Sequence, residues 1–219
     1  MASQKAKSLV SERTIGRLSL YRRLLNELMA QGQRSIYSHE LAALIGGTAA
    51  QIRRDLMAVG YSGSPTHGYD IRELVVSIGN FLDAPRVQGV ALVGVGNLGR
   101  AIMAFFAGRR PKLSIVAAFD NDPYKVNRVI HGCRGYSLDA ASTVVKDQGI
   151  AVGILCVPSS SAQDVAARLV RAGIRGILNF APVPLRVPAN VFVEDIDMTM
   201  SLEKVAYFGR QNMPQEGHK

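Results

Sequence analysis

An apolar, β-branched run at residues 87–93 leads straight into Gly94-Val95-Gly96-Asn97-Leu98-Gly99, and a helix-forming stretch continues to about residue 107. A GxGxxG spacing alone is weak, but a strand before it and a helix after it limit the chain to few folds. In that setting the first glycine permits the tight turn, the second lets a pyrophosphate approach the backbone, and the third lets helix and strand pack closely. The helix start would offer free N–H groups and a positive dipole end to phosphates. A second strand is expected over residues 113–119, ending at Asp120, which stands 21 residues after Gly99. A carboxylate at that place suits the hydroxyls of an adenine ribose and repels a 2′-phosphate, which favours NAD over NADP. Asn121 and Lys125 follow close by, with Arg128 a further nearby cation.

Further strands are expected at residues 150–157, 176–180 and 191–193, separated by helices such as residues 161–172. Alternating strands and helices predict an α/β fold with a doubly wound parallel sheet, a Rossmann domain over residues 85–195. Ligands of such sheets lie beyond the carboxyl ends of the strands. Val157, Pro158, Asn179 and Phe180 stand at such ends and become candidates for the inner half of a dinucleotide site. Ser159-Ser160-Ser161 reads as a helix cap.

The first 84 residues have a different character. Ile15, Leu18, Tyr21, Leu24, Leu25, Leu28 and Met29 repeat at the spacing of an amphipathic helix, leaving Arg17, Arg22 and Arg23 mostly off its apolar face. Ser38 is placed to cap a second helix, which Gly46-Gly47 should stop. Thr48-Ala49-Ala50-Gln51 opens another helix as a capping box, with Gln51 reaching back to the cap residue. A short helix, a glycine turn and a new helix make a helix-turn-helix. Its polar face, carrying Gln51, Arg53 and Arg54, suits base edges or phosphates in a major groove. Residues 60–70, with Gly60, Gly63, Pro65 and Gly68 between Tyr61 and Tyr69, read as a hairpin wing or tight loop that also carries His67. Asp70 and Glu73 mark one more capped helix, and Ala84-Pro85 ends the domain.

A formal net charge of +9 suggests an anionic partner, nucleic acid or an acidic membrane surface. Residues 1–20 hold no apolar core of a signal peptide, and the apolar runs fall short of the ~18 residues of a membrane helix. The chain therefore reads as soluble and cytoplasmic. Cys133 and Cys156 belong to no metal-ligand pattern. Cys156 reads as a buried hydrophobe, whereas Cys133, beside His131 and Arg134, has neighbours that could favour a reactive thiol. No catalytic constellation accompanies the glycine fingerprint. His131 is the one candidate acid or base near it, which argues against an enzyme.

With these residues in view, the chain resembles the Rex family of redox-sensing transcriptional repressors from about Thr14 to Phe208. The matching stretches are residues 48–56, Gly68-Tyr69, the fingerprint, residues 119–123, Val157-Pro158, residues 173–182 and residues 193–197. The resemblance implies a repressor, not an enzyme, that senses the NADH/NAD+ ratio through bound NAD(H), with NADH releasing it from a palindromic operator in double-stranded DNA. It implies a homodimer whose C-terminal helices, here within residues 196–219, swap between subunits. Carried over by position, Gly94, Val95, Gly96, Asn97, Leu98, Gly99, Asp120, Asn121, Lys125, Val157, Pro158, Asn179 and Phe180 would hold the cofactor. Ser38, Thr48, Ala50, Gln51, Arg53, Arg54, His67 and Tyr69 would form the DNA-binding set. Phe105, Asp197 and Met198 would lie at the dimer switch; Phe105 stands where the family commonly has tyrosine and Met198 where it commonly has phenylalanine. The wing lacks the family's usual Lys or Arg. Two other readings stay open: the same build responding to ATP or ADP, and a small NAD-dependent oxidoreductase with a basic helical appendage.

Overall fold

The computed structural model describes residues 10–64, 67–109 and 112–212. The chain divides into two compact units, Met1–Pro85 and Arg86–Lys219.

In the first unit, α1 (Glu12–Ala30) starts at Ser11, whose side chain accepts from the Thr14 N–H. Leu18, Tyr21 and Leu25 form its buried stripe. Strand β1 (Ser35–Ile36) precedes α2 (Ser38–Ile45), which ends at Gly46 in the left-handed conformation, φ 64°. The cap of α2 is Tyr37 rather than Ser38: the Tyr37 N–H donates to Glu40 at 2.7 Å, and Ser38 becomes the first helical residue. Helix α3 (Ala49–Ala58) is capped by Thr48, whose hydroxyl accepts from the Gln51 N–H at 3.2 Å. Ile52 and Leu56 from α3 meet Leu18, Tyr21, Leu41, Leu74 and Ile78 in one core. Each full burial of such a side chain contributes about 1.5–3 kcal/mol. Strand β2 (Tyr69–Asp70) pairs antiparallel with β1, Ile36 opposite Tyr69, and Ser64 bridges Gly68 to form the described part of the wing. Pro65 and Thr66 of the expected wing lie outside the described residues. Helix α4 (Ile71–Leu82) takes Asp70 as its cap, and Glu73 accepts from the Tyr61 hydroxyl instead of closing a capping box.

The second unit contains β3 (Gln88–Val93), α5 (Asn97–Phe106), β4 (Leu113–Phe119), β5 (Val129–Ile130), β6 (Cys133–Tyr136), α6 (Ala141–Asp147), β7 (Val152–Leu155), α7 (Ser159–Ala172), β8 (Gly176–Asn179), β9 (Phe192–Asp195) and α8 (Met198–Gln211). The sheet order is β5-β6-β4-β3-β7-β8-β9, parallel except for β5. The order reverses beside β3, which sets a crevice beyond the ends of β3 and β7. Val90 and Leu92 belong to the core shared with Ile102 and Met103 of α5, while Ala91 and Val93 belong to the one shared with Val165 and Leu169 of α7. That alternation makes β3 apolar on both faces, as a central parallel strand must be.

The hairpin β5–β6 falls where the sequence carries no strand signal. Its strands are too short to give an alternating pattern, and His131 at its turn adopts φ 47°. Cys133 is therefore a buried strand residue whose thiol burial pushes up to about 11, which removes the setting expected for a reactive cysteine. Helix α8 starts at Asp197, which accepts from the Met200 N–H at 2.8 Å, and it buries no residue.

Candidate ligand cleft and DNA-facing helix

A cleft of about 640 Å³ opens where the reversal of strand order places it. Gly94, Gly96, Asn97 and Leu98 form its floor, Asp120, Asn121 and Lys125 one wall, and Val157, Pro158 and Phe180 the other. The volume is in the range of cofactor sites. A Cβ at Gly99 would overlap the Gly94 carbonyl oxygen, and one at Gly94 would overlap the Cys156 carbonyl. Gly94 also has φ 95°. At Gly96 a Cβ would meet no protein atom within 4 Å. The protein itself gives no packing reason for glycine there, whereas a group approaching the backbone from the cleft does. No side chain caps α5 or α7, and both begin at the cleft, so their first-turn N–H groups suit an anion.

Asp120 accepts from the Val95 N–H at 2.7 Å, the Asp122 N–H at 2.9 Å and Lys125 Nζ at 3.1 Å. Burial alone would push its carboxyl up, but these three donors outweigh burial and hold it below the usual carboxylate range. Lys125 also lies 3.5 Å from Asp122. Its loop is strapped to β6: Asn127 N–H donates to Gly135 O and Gly135 N–H to Arg128 O, and a Cβ at Gly135 would overlap the Lys125 carbonyl.

Three of the cofactor candidates do not line the cleft. Val95 and Gly99 are buried supports of the glycine turn. Asn179 is fully buried; its amide donates to Val183 O and to Asp195 Oδ1 and accepts from the Ala181 N–H. It shapes the segment carrying Phe180 rather than facing the cleft. Val93, Leu138, Cys156, Ser161 and Val165 also line the cleft, although they were not among the sequence-based candidates. Cys156 stands at the end of the apolar run before Val157, so its place was readable. Its thiol is pushed up to about 12 by burial.

In the first unit Thr48, Ala50, Arg53 and Arg54 are exposed, and Ser38 and Gln51 are half-buried. Arg53 donates to Ser38 Oγ at 3.1 Å. Gln51 does not reach back to its cap residue: its amide donates to Asp55 Oδ1 at 2.9 Å, and its oxygen accepts from Arg54 at 3.2 Å. Asp55, absent from the sequence-based candidates, is 3% exposed. It accepts from Arg17 Nε at 2.6 Å, Arg17 Nη2 at 2.8 Å and the Tyr21 hydroxyl at 2.8 Å. Burial would push the Asp55 carboxyl up, but the hydrogen bonds from Arg17, Tyr21 and Gln51 together hold it low. Arg17 and Arg22, placed off the apolar face of α1 by the spacing and so expected to meet solvent or phosphate, are instead engaged with Asp55 and Asp83, while Arg23 is exposed. Tyr69 is a core residue whose ring lies tilted against that of Tyr61, and His67 is exposed in the wing.

Phe105 and Met198 are more than half exposed, and Arg109 lies over the Phe105 ring at 4.5 Å. Among the described residues there is no group of His, Cys, Asp or Glu fit for a metal, and no helix long and apolar enough to cross a membrane.

Two family models match, a CoA binding domain over residues 86–183 and a putative DNA-binding protein N-terminus over residues 9–56. The chain is 39% identical, over 90% of its own length and 95% of the relative's, to the redox-sensing transcriptional repressor Rex of Carboxydothermus hydrogenoformans. Among solved structures it is similar to RSP in complex with β-NAD+ and operator DNA, with TM-score 0.85 and 34% identity over 93% of this chain and 94% of that one. It is also similar to RSP in complex with β-NADH, with TM-score 0.81 and 33% identity over 93% and 95% of the two chains.

Proposed function

The chain belongs to the Rex family of redox-sensing transcriptional repressors, and from that premise we propose that it binds NAD(H) in the cleft of its second unit and a palindromic operator through its first. The family regulates transcription and is not an enzyme family. The observation that carries the ligand reading is Gly96: the fingerprint keeps a glycine that the surrounding protein leaves open, at the start of an uncapped helix, within reach of a carboxylate. A dinucleotide explains all three, with its pyrophosphate on the α5 N-terminus, its adenine ribose at Asp120, and its inner half between Val157, Pro158 and Phe180. Arg53 and Arg54 on α3, together with the wing, supply the DNA-binding face.

The working unit is a homodimer. Helix α8 exposes Met198, Met200, Leu202, Val205, Tyr207 and Phe208, an apolar series that a second copy would cover by exchanging helices. NADH and NAD+ act by favouring different arrangements of that dimer, and only one arrangement matches the spacing of two half-sites. The regulator works in the cytoplasm, beside the chromosome and the NAD(H) pool.

Fluorescence anisotropy of a labelled palindromic duplex, titrated with NADH and separately with NAD+, tests this reading. NADH is expected to release the DNA at concentrations where NAD+ does not. Release by ATP or ADP alone would assign the same architecture to another adenine nucleotide. Turnover of a carbonyl substrate with NADH would overturn the repressor reading.

A further inference from the structure

We propose that Asp55 is a positioning residue for sequence-specific DNA binding, fixing the presentation of Gln51 and Arg54 on α3 through a buried network anchored in α1. The inference rests on the reading of the first unit as a DNA-binding domain.

Three features carry it. The first is the choice of an ion pair where a hydrophobe would do. Asp55 lies beside Ile52 and Leu56 in the buried stripe of α3. A buried ion pair generally adds little stability over well-packed apolar residues of the same volume, so geometry is the better reason for it. Apolar side chains at a helix contact permit small slides and rotations. Arg17 instead grips both Asp55 oxygens in a fork at 2.6 and 2.8 Å, and the Tyr21 hydroxyl adds a third direction at 2.8 Å. Arg17 and Tyr21 lie one helical turn apart on α1, so the contact fixes both the height and the rotation of α3 against α1.

The second feature is the free end of the network. Asp55 has one more partner, the Gln51 amide, a turn earlier on the same helix at 2.9 Å. A carboxylate accepts and does not donate, so the amide must turn its NH2 inward and its oxygen outward. That oxygen holds Arg54 at 3.2 Å. The third feature is charge. Asp55 is ionised, so the amide cannot turn over without placing one oxygen against another. The buried carboxylate thereby decides which edge of Gln51 faces outward and where the Arg54 guanidinium, a reader of guanine or phosphate, is held.

The test uses the full-length chain and two duplexes of equal length, a palindrome enriched from a random pool by the wild-type protein and a random sequence. Asp55→Asn can accept or donate, and so releases the constraint on the amide. It is expected to weaken binding to the enriched duplex about tenfold while binding to random DNA changes about twofold or less, because phosphate contacts carry the latter. Gln51→Leu, which removes one donor to Asp55 but leaves its Arg17 and Tyr21 contacts in place, is expected to shift the ratio of the two affinities in the same direction. Should Asp55→Asn fail to give a native circular dichroism spectrum, Gln51→Leu decides alone. Unchanged ratios in the folded variants, or equal losses on both duplexes, would leave the network a matter of folding only and overturn the proposal. If the wild-type chain enriches no duplex at all, it is the DNA-binding reading that falls, and the positioning role with it.

Discussion

Asp55 and Asp120 are two carboxylates largely withdrawn from water, one in each unit, and both are held ionised against the cost of burial. Their donors differ. Asp55 is surrounded by side chains, Arg17, Tyr21 and Gln51, and is shut away at 3% exposure. Asp120 is held largely by backbone, the N–H groups of Val95 and Asp122, and by one side-chain cation, Lys125, at the wall of an open cleft. A closed set of donors from separate helices fixes the angle between those helices. An open carboxylate on a rigid backbone seat leaves acceptor capacity for an arriving hydroxyl. The two sites thus use the same chemistry for opposite ends, one to exclude alternatives and the other to admit a ligand.

The largest test of this contrast changes the backbone seat itself. Gly99→Ala forces a methyl group onto the Gly94 carbonyl, which neither α5 nor β3 can yield easily. It should destabilise the second unit by about 3 kcal/mol and abolish NADH binding, as read by calorimetry and by nucleotide titration. Gly96→Ala should leave the thermal midpoint nearly unchanged, yet still weaken NADH binding, because only a ligand contests that space. Next in size is Asp55→Ala, which strands the Arg17 guanidinium and should cost about 3 kcal/mol by urea denaturation. The double replacement Arg17→Met, Asp55→Leu should regain most of that stability without regaining operator selectivity, separating folding from geometry. Asp120→Asn should be milder: the Val95 contact survives, and NADH affinity falls about tenfold as a charged acceptor is lost from the ribose site. The smallest effect is on pH. The Asp55 carboxyl is depressed in the folded state, so its contribution is present above the unfolded value near 4 and fades as pH falls through the lower folded value. Denaturation midpoints measured across acidic pH should fall in the wild type, and less steeply in Asp55→Asn.

Much of this was legible because it is local. Gly46, Thr48 and the stripe of Ile52 and Leu56 lie within one short stretch, and they announce two helices and the turn between them. The strand, three glycines and helix of the fingerprint are likewise contiguous, and Asp120 falls at a fixed distance along the same unit. What escaped is paired across the chain. Asp55 carries no sign of its role until its partners, 38 and 34 residues earlier, are brought beside it. Asn179 looks like a lining residue because it ends a strand, but Asp195, 16 residues on, turns its amide inward. The hairpin carrying Cys133 has too few residues to show a period at all.

The strap at β6 has a consequence for how sequences of this kind can drift. Gly135 belongs to no fingerprint and does not itself line the cleft, so by motif it looks free to vary. Yet any side chain there must displace the carbonyl of Lys125, and with it the wall that Lys125 and Asp120 share. A substitution at this inconspicuous position would behave in a genetic screen like damage to the ligand site itself, from the far side of a strand.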